Sequence, residues 1–191
     1  MPSADYGDYV EIPLSAKTGN SIKCLFFVFR HVEIMENMNN TEIERKFLVT
    51  SDDFKHYSTL QHEIEQGYLC KEPGKTIRIR IQDSRAFITI KSSQLRKGIA
   101  KFEWEKEIDP EDAREMMQIC LPGVIRKTRY IIPAEPYEGQ ERKWEVDVFH
   151  DRLAGRVLAE IELGSEEEPF ARPQWLGEEV TGLPQYYNAN M

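Results

Sequence analysis

The chain reads as an α+β fold that is mainly β, with about eight antiparallel strands closed into a barrel or tunnel and a few flanking helices. Two observations predict it. Short stretches carry charged residues two apart, as in Glu42/Glu44/Lys46, Arg78/Arg80, Glu103/Glu105, Lys127/Arg129, Glu145/Asp147 and Glu160/Glu162, with Lys91 following Phe87 and Thr89. The residues between them are mostly Ile, Val, Leu, Phe or Trp. Residues two apart on a strand share a face, so each strand presents one charged and one apolar side. Charged sides need water and apolar sides need cover, which a closed wall with helices outside it supplies.

The elements follow in order. Residues 1–37 have weak periodicity, include Met35 just ahead of Met38, and read as an N-terminal extension outside the fold, as a start codon placed too far upstream would produce. The folded domain is then 38–191, with strands expected over 42–49, 64–69, 76–82, 85–92, 100–108, 124–132, 142–149 and 156–163. Glu72-Pro73-Gly74-Lys75 and Gln82-Asp83-Ser84 are turn material, and 133–139 is a loop by composition. Asp109 suits an N-cap and Pro110 the first helical position. Ala113, Met116, Met117 and Cys120 then recur at helical spacing before Pro122-Gly123. Further short helices are expected over 52–60 and from Ser165 to about Leu176.

Bulk properties narrow the function. A length of 191 residues suits one domain with a real core. The net charge of −8 argues against general nucleic-acid binding, which needs a basic footprint. No stretch reaches the length of a membrane span, and the apolar run from Cys24 to Phe29 follows an acidic leader with no small-residue cleavage site after it. Three scattered cysteines give neither a disulfide framework nor a zinc pattern, which points to a reducing cytoplasm. A homodimer is one option among oligomeric states that the sequence leaves open.

The charged faces together hold eight carboxylates (Glu42, Glu44, Glu103, Glu105, Glu145, Asp147, Glu160, Glu162) and six cations (Lys46, Arg78, Arg80, Lys91, Lys127, Arg129). So many like charges on one surface need a wet cavity and a neutralising ligand for each sign. A small polyphosphate with its divalent metals is such a ligand. Guanidinium forks match phosphate oxygens, and clustered carboxylates suit hard cations such as Mg²⁺ or Mn²⁺. Glu103, Glu105, Glu145 and Asp147 could equally form ion pairs across the cavity. No nucleophile elbow, P-loop or zinc-protease motif is present, and the four histidines show no ligand spacing.

The run TEIERKFLV, with Glu42, Glu44 and Lys46, resembles the ExExK signature of the CYTH superfamily, the triphosphate tunnel metalloenzymes. Further segments match in family order: Gln66-Gly67-Tyr68-Leu69, Ile77-Arg78-Ile79-Arg80, Thr89-Ile90-Lys91-Ser92, Phe102-Glu103-Trp104-Glu105, Arg126 to Tyr130, Trp144 to Phe149, Leu158 to Glu162, and Pro173 to Thr181. The likeness covers about 42–188 and is nearest to short bacterial inorganic tripolyphosphatases. It implies an eight-stranded tunnel and hydrolysis of a triphosphate, with tripolyphosphate giving pyrophosphate and phosphate by metal-activated water. It also implies that Glu42, Glu44, Glu160 and Glu162 hold Mg²⁺ or Mn²⁺. Lys46, Arg78, Arg80, Lys91, Lys127 and Arg129 would bind the triphosphate. Glu44, Lys46, Tyr68, Glu160 and Glu162 would be catalytic, with Tyr68 beside Lys46. Glu103 and Glu105 match acidic tunnel positions.

Other readings in the same frame are a class IV adenylate cyclase, a thiamine triphosphatase and a polyphosphate-binding module without catalysis. No purine-binding motif supports the cyclase. Trp104 and Trp144 lie on the outward register, away from a thiamine ring in the tunnel. Every acidic position of the ExExK and Ala159-Glu160-Ile161-Glu162 segments is filled, which favours an enzyme over a binder. The final residues, Tyr186 to Met191, carry little charge where relatives often have a basic helix.

Overall fold

The computed structural model describes residues 40–93 and 99–191. The extension expected over 1–37 lies outside the described residues. The strands are β1 (Thr41–Glu42), β2 (Glu44–Val49), β3 (Leu60–Glu72), β4 (Lys75–Gln82), β5 (Arg85–Ser92), β6 (Lys101–Ile108), β7 (Ile125–Tyr137), β8 (Gln140–Phe149), β9 (Val157–Glu162) and β10 (Leu176–Glu179). Helix α1 (Phe54–Tyr57) follows β2, and α2 (Pro110–Gln118) follows β6. No described helix is long and apolar enough to cross a membrane.

All strands join one antiparallel ten-stranded sheet in the order β1-β6-β5-β4-β3-β7-β8-β9-β2-β10, which bears out the mainly β antiparallel fold expected, with the strand of 42–49 split into β1 and β2 and β10 added to the eight. Hydrogen bonds do not close this sheet into a ring. Chain continuity draws its ends together instead, because β1 and β2 are separated only by Ile43. The segment 41–49 therefore lies on β6 through its first part and on β9 through its second. An ion pair of Lys101 on β6 with Glu44 on β2 at 3.2 Å spans this junction, while Lys91 on β5 pairs with Glu42 on β1 at 2.6 Å within one flank. The inner faces consequently look onto a common tunnel-like space.

Two outward layers cover the wall. Asp109 caps α2 by accepting a hydrogen bond from the Glu111 amide at 2.8 Å, and Pro110 occupies the first turn. The helix then packs Ala113, Met116 and Met117, with Cys120 just beyond, on Ile79, Ala86, Ile81 and Ile88. Gly67 makes this contact possible, since a Cβ there would stand 2.7 Å from the Cys120 sulfur. The larger layer holds Phe47, Trp144, Val146, Ala159, Ile161 and Trp175. Trp144 meets Phe47 and Trp175 edge-on at 5.7 Å each.

Three local expectations need correction. The stretch from Ser165 to Leu176 is irregular and leads into β10 instead of forming a helix. Pro169 and Pro173 break the helical ladder there, and Glu168 folds back to accept from the Gly164 amide at 2.6 Å and from Arg142 at 2.7 Å. The helix expected over 52–60 shrinks to the single turn of α1, and Asp53 makes no side-chain cap. The loop expected over 133–139 is a hairpin: strands continue to Tyr137 and from Gln140, and Glu138 and Gly139 turn with positive φ of 49° and 77°. Two successive positive φ values match the twist of a tight hairpin, while a register shift between Ala134 and Tyr137 accommodates the prolines.

Candidate functional site

Register assembles the site. Counting inward along paired strands, Glu44 faces Glu162, Lys46 faces Glu160, and Glu145 faces Glu160. Arg129 faces Asp147, Tyr68 faces Arg78, Arg78 faces Thr89, and Thr89 faces Glu105. Lys91 faces Glu103. The sheet thus lines its inner face with the candidate residues read from the sequence. At one end this face turns apolar: Ile125, Phe149 and Leu158 are buried and packed by Leu48, Leu153, Tyr186 and Met191. That cluster forms a dry floor for the charged space.

Each sign is paired with the other. Lys46, only 4% exposed, holds Glu160 at 2.6 Å and stands 3.9 Å from Glu44. Lys127 donates to Asp147 at 2.5 Å, and both side chains are sealed from solvent. Arg129 donates to both oxygens of Asp147 at 2.7 and 2.8 Å, bonds Glu145, and reaches Glu160 at 3.4 Å. Arg80 donates to Glu105 at 2.8 Å and Arg78 does so at 3.2 Å. Lys91 binds Glu42 at 2.6 Å and Glu103 at 3.1 Å.

The pairing is uneven, and protonation reports it. Burial alone would raise the Glu160 carboxyl, but Lys46, Arg129 and Lys127 outweigh it and hold this group well below the usual carboxylate range. Glu145 is likewise held at about 2 by Arg129 and Lys143 against the effect of burial. Glu42 and Glu162 go the other way. Burial raises both, with Glu103 adding to the rise at Glu42 despite Lys91, and Glu42 and Glu145 adding to it at Glu162. This edge of the tunnel carries more carboxylate than its cations neutralise. On the opposite wall, burial and then the neighbouring Arg78 push Arg80 down to about 10, the signature of cations crowded together. Burial raises the Tyr68 phenol, so it stays a proton donor.

These oxygens suit a hard divalent cation. Glu44 and Glu162 lie directly opposite on β2 and β9, with Glu42 just along the chain. Among the described residues no three carboxylates converge closely enough to ligate one ion as they stand. Their ion pairs explain this: Glu160 is turned to Lys46, Glu42 to Lys91 and Glu44 to Lys101. Adding an anion for the cations would release the carboxylates, so the donor set fits a metal that arrives with a polyanion.

The sequence reading missed several residues at this site. Thr89 is fully buried, accepts from Arg78 at 2.9 Å and donates to Glu105 at 2.6 Å. Lys101 contacts Glu44, and its ammonium lies 4.8 Å from the Tyr187 ring centre. Gln66 is fully buried beside Tyr68. Lys101 sits two residues from Glu103, so the same alternation could have found it, whereas Thr89 and Gln66 share the register but carry no charge to mark them.

Comparison with known proteins gives this arrangement its family. The CYTH domain matches residues 40–187. The chain belongs to the CYTH domain family. An inorganic triphosphatase of Acetivibrio thermocellus is 37% identical over 153 residues, spanning 78% of this chain and 92% of that protein. The crystal structure of the inorganic triphosphatase NE1496 superposes with a TM-score of 0.52 at 31% identity, covering 78% of this chain and 95% of that one. PH1012 of Pyrococcus horikoshii OT3 shares the fold at 24% identity and a TM-score of 0.51, over 65% of this chain and 79% of that one. In this CYTH chain the resemblance read from Glu42, Glu44 and Lys46 is therefore correct, and the tunnel-like β wall agrees with the family fold.

Proposed function

We propose that this CYTH protein is a divalent-metal-dependent triphosphatase whose leading substrate is inorganic tripolyphosphate, cleaved to pyrophosphate and phosphate. The observation that carries this reading is the segregation of charge inside one tunnel: a crowded cation wall on β4, β5 and β7 faces a carboxylate-rich edge on β2 and β9. A chain of phosphates bound against the first leaves the second free to take metal. The names of two relatives at 37% and 31% identity support the substrate class.

Roles follow from position. Arg78, Arg80, Lys91, Lys127 and Arg129, together with Lys46, would exchange their carboxylate partners for phosphoryl oxygens, holding the chain extended and neutralising charge as the terminal P–O bond breaks. Glu42, Glu44, Glu160 and Glu162 would hold Mg²⁺ or Mn²⁺. When bound, such a cation supplies Lewis-acid neutralisation of phosphoryl oxygens and lowers the pKa of water. Glu44, Glu160 and Glu162 would also orient the attacking water, and Tyr68, protonated, would donate to an oxygen of the substrate. Glu103, Glu105, Glu145 and Asp147 would serve as the resting partners of the cations. The buried Lys127–Asp147 pair holds the cation wall in place before substrate arrives. We assign this chemistry to residues 38–191 and its setting to a reducing cytoplasm, which the free thiols of Cys70 and Cys120 support.

Phosphate release by the full chain tests the proposal, with tripolyphosphate, ATP and thiamine triphosphate, each in Mg²⁺, Mn²⁺ or EDTA. Metal-dependent release from tripolyphosphate, with ATP slow, is the expected result. Cyclic AMP from ATP without phosphate release would move the protein to the cyclase branch. Tight tripolyphosphate binding without turnover would leave a binding module.

A further inference from the structure

Gln66 is an anomaly in the charged tunnel. It is neutral and fully buried, yet lies on the inner register, opposite the charged Arg80 on β4 and the apolar Ile125 on β7. Burying an amide in such a place is costly unless its polar atoms are used. One of them is: Nε2–H donates to the Tyr68 hydroxyl oxygen at 3.3 Å. The carbonyl Oε1 has no hydrogen-bond partner, and neither has the buried Nε of Arg80 across the strand or of Arg78 beside it.

The direction of the amide bond has a consequence for Tyr68. A phenol oxygen that accepts from Gln66 keeps its own proton for another acceptor. Tyr68 is 5% exposed, so that acceptor must lie inside the protein. Its cross-strand neighbour is Arg78, which offers only donors. Tyr68 lies on the inner register of β3, the face that carries the tunnel's charged side chains. An anionic oxygen bound in that space is the acceptor the geometry lacks.

Resting on the triphosphatase reading, we propose that Gln66 is a positioning residue that aims the Tyr68 hydroxyl at a phosphoryl oxygen of the substrate. Its amide N–H occupies the phenol oxygen, so the Tyr68 proton points into the tunnel, and the unpartnered Oε1 is left to accept from water that accompanies the phosphate chain. No bond to Gln66 is made or broken in the reaction. It acts only through Tyr68.

A double-mutant cycle tests this, using tripolyphosphate with Mn²⁺ and thermal melting as the check on folding. Losing one aimed donor should lower kcat of Tyr68→Phe by about 100- to 1000-fold. Gln66→Met should lower kcat by about 10-fold while KM moves less than about 2-fold. In the Tyr68→Phe background, Gln66→Met should cost less than about 2-fold more, because the group it aims has gone. Gln66→His, which retains an N–H donor, should recover part of the loss. Losses that multiply in the double variant, or full turnover by Gln66→Met, would overturn the proposal. If Gln66→Met shows no cooperative melting, Gln66→Glu takes its place in the cycle with the same expected coupling. An active wild type with multiplying losses removes the Gln66 role alone, whereas a wild type inactive on tripolyphosphate with either metal removes the triphosphatase reading and this role together.

Discussion

Glu44 separates function from stability at the scale of one residue. Its ion pairs are loose, 3.2 Å to the partly exposed Lys101 and 3.9 Å to Lys46, whose ammonium is already held by Glu160 at 2.6 Å, so they add little to folding. Facing Glu162, it also contributes repulsion. Glu44→Ala is expected to lower turnover at least about 100-fold, as loss of a metal-holding carboxylate would, while the melting temperature stays within a few degrees. Near-normal rates at saturating Mg²⁺ would remove Glu44 from the metal set. Acid stability tests the uneven pairing. Glu145 and Glu160 have folded values below those of the unfolded chain, so they stabilise the fold above about pH 4.3 and lose that contribution as pH falls through their folded values. Glu42 and Glu162 are raised, so protonating them relieves the fold as pH falls toward the unfolded value. Melting followed in EDTA should therefore rise slightly from neutral pH to about pH 5 and drop steeply below about pH 4. A monotonic fall from neutrality would contradict the assignment of surplus carboxylate to that edge. Most charged residues of this site were legible because they are written at a two-residue spacing. Thr89 and Gln66 were not, since a neutral side chain in the same register carries no charge to mark it.

At the scale of elements, strand pattern was legible and strand extent was not. Alternation located eight strands, but β3 runs from Leu60 and β7 to Tyr137, well past their charged centres. Those ends are held by pairing with neighbours in the sheet, which local sequence does not display. Helix α2 was legible because Asp109, Pro110 and the Ala113/Met116/Met117/Cys120 spacing agree. The region 165–176 misled because its acidic start imitates a first helical turn, whereas Glu168 spends its charge on Arg142. The seam of α2 on the wall gives a sharp test. Gly67→Val places atoms where the Cys120 and Met117 sulfurs now lie, within 2.7 and 2.8 Å of a Cβ. Overpacking of this kind should cost about 1–3 kcal/mol, read from denaturant unfolding. An unchanged midpoint would mean that α2 does not seat on β3 as described.

The whole molecule explains why a chain of net charge −8 can take a polyanion. Its sheet wraps back through the β1–β2 segment and sets the cations on one wall and the surplus carboxylates on another, so local field rather than net charge decides what binds. Wrapping was foreseeable from two-sided strands, but its route was not: a single segment broken at Ile43 and serving both ends of the sheet leaves no mark in hydrophobic pattern. The central claim is that this tunnel splits a triphosphate with water. Phosphorus NMR of tripolyphosphate incubated with the full chain and Mn²⁺ in isotopically labelled water tests it most directly. The account predicts equal amounts of pyrophosphate and phosphate, one of the two products carrying the label from water, and no change in EDTA. Tripolyphosphate left intact under both conditions would contradict it.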